Sequence, residues 1–286
     1  MLSLYVCNLI IPGNPDVVTL ATPAGPWQLI KMPGFAATKS RITSTSSRPE
    51  ELPIGETYFL ENRIGMMNST VSALDRAIEE LSPILLGASY ATGMPVTVKR
   101  ATMGSKISII HATHYWPRAR LMGSGSSAIT TTSEFINFVE AFVRAWPTFG
   151  QIEKARLLVL TWLDALACWS MEDLYLSATT LLQVIAATEA AKQGKRLSFY
   201  ADVTDSAHRM NIAALSQDFK NMRNELVQDG QLIGSRFFSP RVACQQVIAD
   251  VLNWIDQYTH SALSLGPVAK ARFQPWDFAG LNAYSI

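Results

Sequence analysis

The apolar residues of the C-terminal half fall three and four apart, segment after segment, which commits that half to helices. "FINFVEAFVRAW" and "VACQQVIADVLNWIDQY" are the clearest cases, because only a helix brings such positions onto one face. The same spacing predicts helices over residues 133–146, 151–169, 171–193, 206–229 and 240–264, joined by short loops into a bundle. The N-terminal part has a different texture. Runs rich in β-branched and aromatic residues, "LYVCNLII" (4–11), "DVVTLAT" (16–22), "WQLIKM" (27–32), "MPVTVKR" (94–100) and "KISIIHATHYW" (106–116), read as strands. "TPAGP" (22–26) turns the second into the third. Residues 68–91 have helical spacing, with Ser82-Pro83 placed to end one helix and start another. Residues 36–52 are polar, rich in Ser and Thr, and read as a mobile loop. The expected class is α+β: a mixed α/β N-terminal domain with short strands, then an all-α bundle.

The change of texture falls at "MGSGSSAITTTSE" (122–134), where Gly and Ser favour a linker and Thr-Ser-Glu can cap a helix. The expected domains are residues 1–130, residues 131–265 and a C-terminal tail, 266–286. With 286 residues, 48% of them hydrophobic, the chain can bury a sizeable core. Cys7, Cys168 and Cys244 are far apart in sequence with no CxxC spacing, so neither a disulfide framework nor a zinc site is expected. No apolar run reaches the ~18 residues of a membrane span, and "MLSLYVCNLIIPGNP" lacks the features of a signal peptide. The expectation is a cytoplasmic protein with no membrane partner. Residues 1–130 carry 11 Lys and Arg against 8 Asp and Glu, and residues 131–265 carry 11 against 14. Neither balance is the strongly basic surface of a non-specific nucleic-acid binder, so RNA contact requires a local cluster.

Most short motifs dissolve on inspection. His111 and His114 of "HATH" lie three apart in an expected strand, where side chains alternate, so they point to opposite faces and could share an ion only if the backbone bulged between them. His208 and His260 have no partner at ligand spacing and read as surface or capping residues. "GSGSS" lacks the lysine and spacing of a phosphate loop, and no GxSxG elbow occurs. No metal or cofactor is implied. The aromatic tail "ARFQPWDFAGLNAY" (271–284) is expected to fold back on its own domain, since exposing Phe273, Trp276 and Phe278 together is unfavourable.

One stretch stands out, "NMRNELVQDG" (221–230). It closes an expected helix that starts near Asp205 or Ser206 and stops at Gly230, a residue type favoured just past a helix end. On a helical wheel Asn224 and Gln228 lie about 40° apart, while Arg223 sits about 140° from Gln228 and Leu226 faces inward. Upstream, the long helix of residues 172–199 carries Glu189 near its end. This pairing of helices, with Arg223 and Asn224 in sequence, resembles the HEPN (higher eukaryotes and prokaryotes nucleotide-binding) family, particularly its branch in bacterial and anti-phage proteins. The resemblance covers residues 150–264. The family motif places a His four to six residues after the Arg; here Gln228 stands five residues on.

The resemblance implies an all-α bundle, descent from a metal-independent ribonuclease, and homodimerisation that brings two motif helices to one cleft. Arg223 would contact phosphate. Gln228 cannot transfer a proton near neutral pH, which removes a contribution typically worth about 10²–10⁴-fold. The expectation is therefore a catalytically degenerate domain with Arg223, Asn224 and Gln228 as vestigial motif positions, serving RNA binding, dimerisation or regulation. An active ribonuclease would need Glu225, Asp229 or His208, brought across a dimer, to replace the missing His. The third reading is a structural or partner-binding protein with no RNA role.

Overall fold

Strands form where the β-branched runs predict them, and they assemble into one antiparallel sheet. The structure, a computed structural model, describes residues 2–43, 55–62, 70–103, 106–108, 127–152, 154–166, 170–194, 198–230, 242–268 and 270–278. These divide into two compact units, one within Met1–Arg120 and Ser127–Trp146, the other within Pro147–Ile286.

In the first unit the strands are β1 (Leu2–Cys7), β2 (Val17–Leu20), β3 (Trp27–Lys31), β4 (Glu56–Asn62), β5 (Thr97–Met103) and β6 (Lys106–Ser108). Their order across the sheet is β2-β3-β4-β1-β5-β6, with every neighbouring pair antiparallel. The β2–β3 turn is closed by Thr22, whose hydroxyl donates to the Gly25 carbonyl at 2.6 Å. Val18, Leu29, Leu60, Leu4 and Ala101 lie in register across five strands. All five are buried, so one face of the sheet is core, as the period of two requires. The opposite face is half-buried: Tyr5 and Phe59 pair across strands with rings 6.0 Å apart. There the Arg100 guanidinium lies 3.5 Å from the Tyr5 ring centre and bonds both oxygens of Glu56.

Two parts of this unit differ from expectation. Residues 36–43, expected in a mobile loop, belong to helix α1 (Phe35–Thr43); the remainder of that loop lies outside the described residues. Only Phe35 of α1 is buried, its ring meeting the edge of Tyr58 at 5.3 Å, so the helix has almost no apolar periodicity to detect. Helix α2 (Thr70–Thr92) runs through Pro83 rather than breaking there. Gly87 of α2 gives close access to helix α3 (Thr132–Ile152), since a Cβ at 87 would lie 3.1 Å from Phe142. Tyr90 stacks on Phe138 at 5.9 Å beside it. Thr132 donates to the Pro12 carbonyl, and Glu140 accepts from the Ala21 amide. These contacts bind α3 to the sheet end of the unit, and the boundary between units falls at Trp146 and Pro147, inside α3.

The described part of the second unit is helical: α4 (Ala155–Ala165), α5 (Met171–Gln193), α6 (Phe199–Arg209), α7 (Gln217–Val227), α8 (Val242–Ala262) and a 3-10 turn, Pro275–Phe278. Ser170 caps α5 by accepting from the Asp173 amide, and Gly194 closes it in the left-handed region at φ 63. Helix α5 packs against α4, α6 and α8. It is also long and apolar enough, by length and composition alone, to cross a membrane, a test that a buried core helix passes as well. Its three helical neighbours account for that character, because 61% of its most apolar window is buried inside the protein.

The helix expected over residues 206–229 is two helices. Helix α6 starts earlier, after Ser198, and α7 starts after Ser216. Asn211 takes a left-handed conformation at φ 54 between them, and the Ile212 amide turns back to the Ala207 carbonyl. Ser206 is an interior residue of α6, not its cap.

The described part of the tail folds back, as its aromatic content suggested. Arg272 and Asp256 form an ion pair at 2.8 Å with side chains 0% and 1% exposed. The Asn253 side chain both donates to the Phe273 carbonyl and accepts from its amide, each at 2.9 Å. Phe273 meets Trp162 edge-on at 5.5 Å and stacks near Phe278 at 6.2 Å. Trp276 stays 69% exposed.

Candidate functional site

Helix α7 carries the Arg-Asn motif, and its inner side is set by Phe219 and Met222, its two buried residues. One turn beyond Phe219, Arg223 emerges half-buried on the same side. Its guanidinium lies 5.0 Å from the ring centre of Phe199, the first residue of α6. Phe199 in turn meets Phe219 edge-on at 6.1 Å. Tyr175 of α5 completes the setting: its hydroxyl donates to the Phe219 carbonyl at 2.6 Å, and its ring is 5.8 Å from that of Phe219. Burial pushes the Tyr175 phenol well above its ordinary range, with a hydrogen bond to Thr179 and the charge of Arg223 pulling the other way. The phenol therefore keeps its proton and is not a base.

Among the described residues Arg223 has no carboxylate partner, and its Nε is buried without a hydrogen bond. An aromatic face supports a guanidinium without neutralising it. Among the described residues Arg223 is thus a cation braced on an aromatic ring and not neutralised by a carboxylate. One turn earlier, Lys220 lies 5.5 Å from the Tyr200 ring centre, and the Tyr200 hydroxyl donates to the Leu215 carbonyl at 3.1 Å.

Asn224 and Gln228 sit elsewhere. The Asn224 carbonyl accepts from the amides of Gln228 at 2.8 Å and Asp229 at 3.2 Å, so Asn224 supplies the last acceptor of α7. Gln228 is the C-cap residue and exposed, and Gly230 follows at φ 64. No side-chain hydrogen bond joins Arg223, Asn224 and Gln228. Their angular separation within one copy agrees with the wheel: Arg223 turns toward α5 and α6 while Gln228 faces solvent. Leu226, expected inward, is half-buried, and Val227 is 48% exposed.

Of the residues that could replace the motif His if brought across a dimer, Glu225 is half-buried, while Asp229 and His208 are exposed. Glu189 is occupied elsewhere. It is 4% exposed and accepts from Lys192 at 2.8 Å, Arg209 at 2.9 Å and the Tyr258 hydroxyl at 3.0 Å. Burial opposes its ionisation, but these donors outweigh burial and hold its pKa below the ordinary value. That cluster ties α5, α6 and α8 together and is a structural knot. His260, read from sequence as solitary, stands one turn along α8 from Asp256. Burial lowers its pKa, with the Asp256 charge opposing. His111 and His114 lie outside the described residues. No group of three or more His, Cys, Asp or Glu among the described residues could hold a metal ion.

Sequence reasoning found Arg223 but missed Tyr175 and Phe199, which form its surroundings. Phe219, four residues before Arg223, was a detectable signal. Phe199 was not, because its approach depends on the turn separating α6 from α7. No family model matches the chain, and no curated protein or solved structure is significantly similar to it.

Proposed function

We propose that the helical unit is a HEPN-like RNA-binding module in which efficient cleavage has lapsed. The observation that carries this reading is Arg223: a cation with no carboxylate partner among the described residues, braced on Phe199 beside the Tyr175 hydroxyl. A guanidinium so held offers a bidentate contact to a phosphodiester. Cleavage of RNA without metal needs a group that moves a proton, and Gln228 has none to move. Binding without turnover follows.

A structural reading competes with it, since stacking on Phe199 alone also favours an Arg here. Fluorescence anisotropy with single-stranded RNA, run as a salt series, separates them. Under the RNA reading, Arg223→Ala weakens binding and reduces the slope of log K against log salt by about 0.7, the loss of one phosphate contact. Unchanged RNA affinity with lowered thermal stability would favour the structural role. In a metal-free cleavage assay the parent chain should be inactive; activity abolished by Arg223→Ala would refute the lapsed site. Gln228→His is the complementary gain-of-function variant.

A further inference from the structure

Helix α7 has two basic residues, Lys220 and Arg223, and it sets them side by side. At about 100° per residue they lie about 60° apart round the helix, with Cβ atoms about 5–6 Å apart. The two acids of α7, Asp218 and Glu225, lie about 140–160° from both cations, on the far side of the helix. Neighbouring like charges repel, and an acid one turn from each cation would relieve that repulsion. Helix α7 does the opposite and gathers its positive charge on one flank.

That flank meets the start of α6. Arg223 lies 5.0 Å from the ring centre of Phe199, and Lys220 lies 5.5 Å from that of Tyr200, so the first two residues of α6 support one cation each. Both rings are themselves fixed, Phe199 by its edge-on contact with Phe219 at 6.1 Å and Tyr200 by the bond from its hydroxyl to the Leu215 carbonyl. A ring does not neutralise the charge that it supports. Among the described residues neither cation forms an ion pair with a carboxylate. The start of α6 adds charge of the same sign: the Ser198 side chain makes no capping bond, and first-turn amides have no partner inside their helix, which leaves this end partially positive. Asp202, the acid of that first turn, is buried and lies about 160° round α6 from Tyr200. Three positive features therefore meet with no bonded carboxylate among the described residues.

We propose that Lys220 and Arg223 contact two neighbouring phosphates of one RNA strand, which lies along α7 beside the start of α6. Held apart on separate rings, each cation meets its own phosphate. Arg223 offers a planar fork that fixes position, and exposed Lys220 offers a mobile point charge that adds affinity. The inference rests on the RNA reading of Arg223 and extends it in two respects. It adds Lys220 as a binding residue, and it makes the ligand a strand with at least two phosphates rather than a single nucleotide monophosphate.

The test is fluorescence anisotropy of the full chain with labelled octauridylate over a salt series, with circular dichroism to verify folding. Each phosphate contact to a single strand contributes about 0.7 to the slope of log K against log salt. Lys220→Ala and Arg223→Ala should each lower the slope by about 0.7, and the double variant by about 1.4. From about 50 to 200 mM salt, the pair's contribution to affinity then falls about sevenfold in the parent and about 2.6-fold in either single variant. Lys220→Arg keeps the charge and should retain the parent slope. Asp218→Asn, on the far side of α7, should leave the slope unchanged. If Arg223→Ala lowers the slope and Lys220→Ala does not, the paired contact is refuted while the RNA reading of Arg223 survives. If neither variant lowers it, both readings fail. A double variant that loses only about 0.7 would show the two cations sharing one phosphate, which overturns the two-phosphate step. A change in Asp218→Asn as large as that in Lys220→Ala would overturn the placement of the strand on the α6 side.

Discussion

Replacing Arg272 by Met leaves Asp256 as a buried carboxylate stripped of its counter-charge. Both side chains of the pair are essentially inaccessible, at 0% and 1% exposure, and 2.8 Å apart. Removing one member of such a pair costs about 3–5 kcal/mol, since the remaining charge stays out of water. Met preserves most of the Arg stem, so little of the loss comes from a cavity. A further 0.5–2 kcal/mol, roughly, comes from the guanidinium's contacts with the rings of Trp162 and Phe273, whose centres lie 5.2 and 5.9 Å away. The expected total is about 3.5–7 kcal/mol, comparable to the whole stability of many domains. Urea denaturation followed by tryptophan fluorescence is the assay, since Trp162 and Trp254 are buried in this unit. With a denaturant slope of about 1–3 kcal/mol per molar, the midpoint should fall by at least about 1 M. Asp256→Asn combined with Arg272→Met should recover much of the loss, because the stranded charge is then gone. A single variant within about 1 kcal/mol of the parent would refute the reasoning. So would a double variant as unstable as the single.

Glu189 gives a pH dependence. Its folded pKa lies below its ordinary value, so its contribution is present above the unfolded carboxylate pKa of about 4.3 and is lost as pH falls through the lower folded value. Glu56, held low by its hydrogen bonds from Arg100, titrates with the same sign. Stability measured from pH 6 to 3 should therefore decline, and Glu189→Gln should flatten the decline; an unchanged profile would count against the Glu189 knot. Gly87→Val should destabilise the first unit by about 1–3 kcal/mol through overpacking, because the added atoms meet Phe142 at 3.1 Å. Thermal melts that show no loss would mean α2 and α3 can separate freely there.

The sequence was most legible where one period dominated. Helix α5 matched its expected span because its cap, its apolar spacing and Gly194 agree. The β2–β3 hairpin was legible from the turn chemistry of residues 22–26. Strand β4 escaped because Glu56 and Glu61 interrupt its apolar pattern. The fold accommodates both acids by pairing, Glu56 with Arg100 and Glu61 with the Ser3 hydroxyl at 2.9 Å, and such long-range partners are invisible to local propensity. The same limit applies around Arg223. Its place on a helix end was readable, but the aromatic support comes from α5 and α6, whose approach is a tertiary outcome. Within one copy the wheel angle already implied that Arg223 and Gln228 diverge, and the structure has them diverge.

Strand β1 lies at the centre of its sheet, between β4 and β5, although it comes first in the chain. During synthesis at about 5–20 residues per second, it emerges several seconds before Glu56–Asn62 and Thr97–Met103 exist to pair with it. Until then Leu4 and Val6 are sticky, edge-exposed residues on an unpartnered strand, and every pairing that buries them closes a loop of more than fifty residues. Such long-range closure makes folding slow. The first unit should therefore be a stage of biogenesis that depends on chaperones, whereas in the helical unit α4, α5 and α6 can pair with their sequence neighbours at once and only α8 and the tail close over long range.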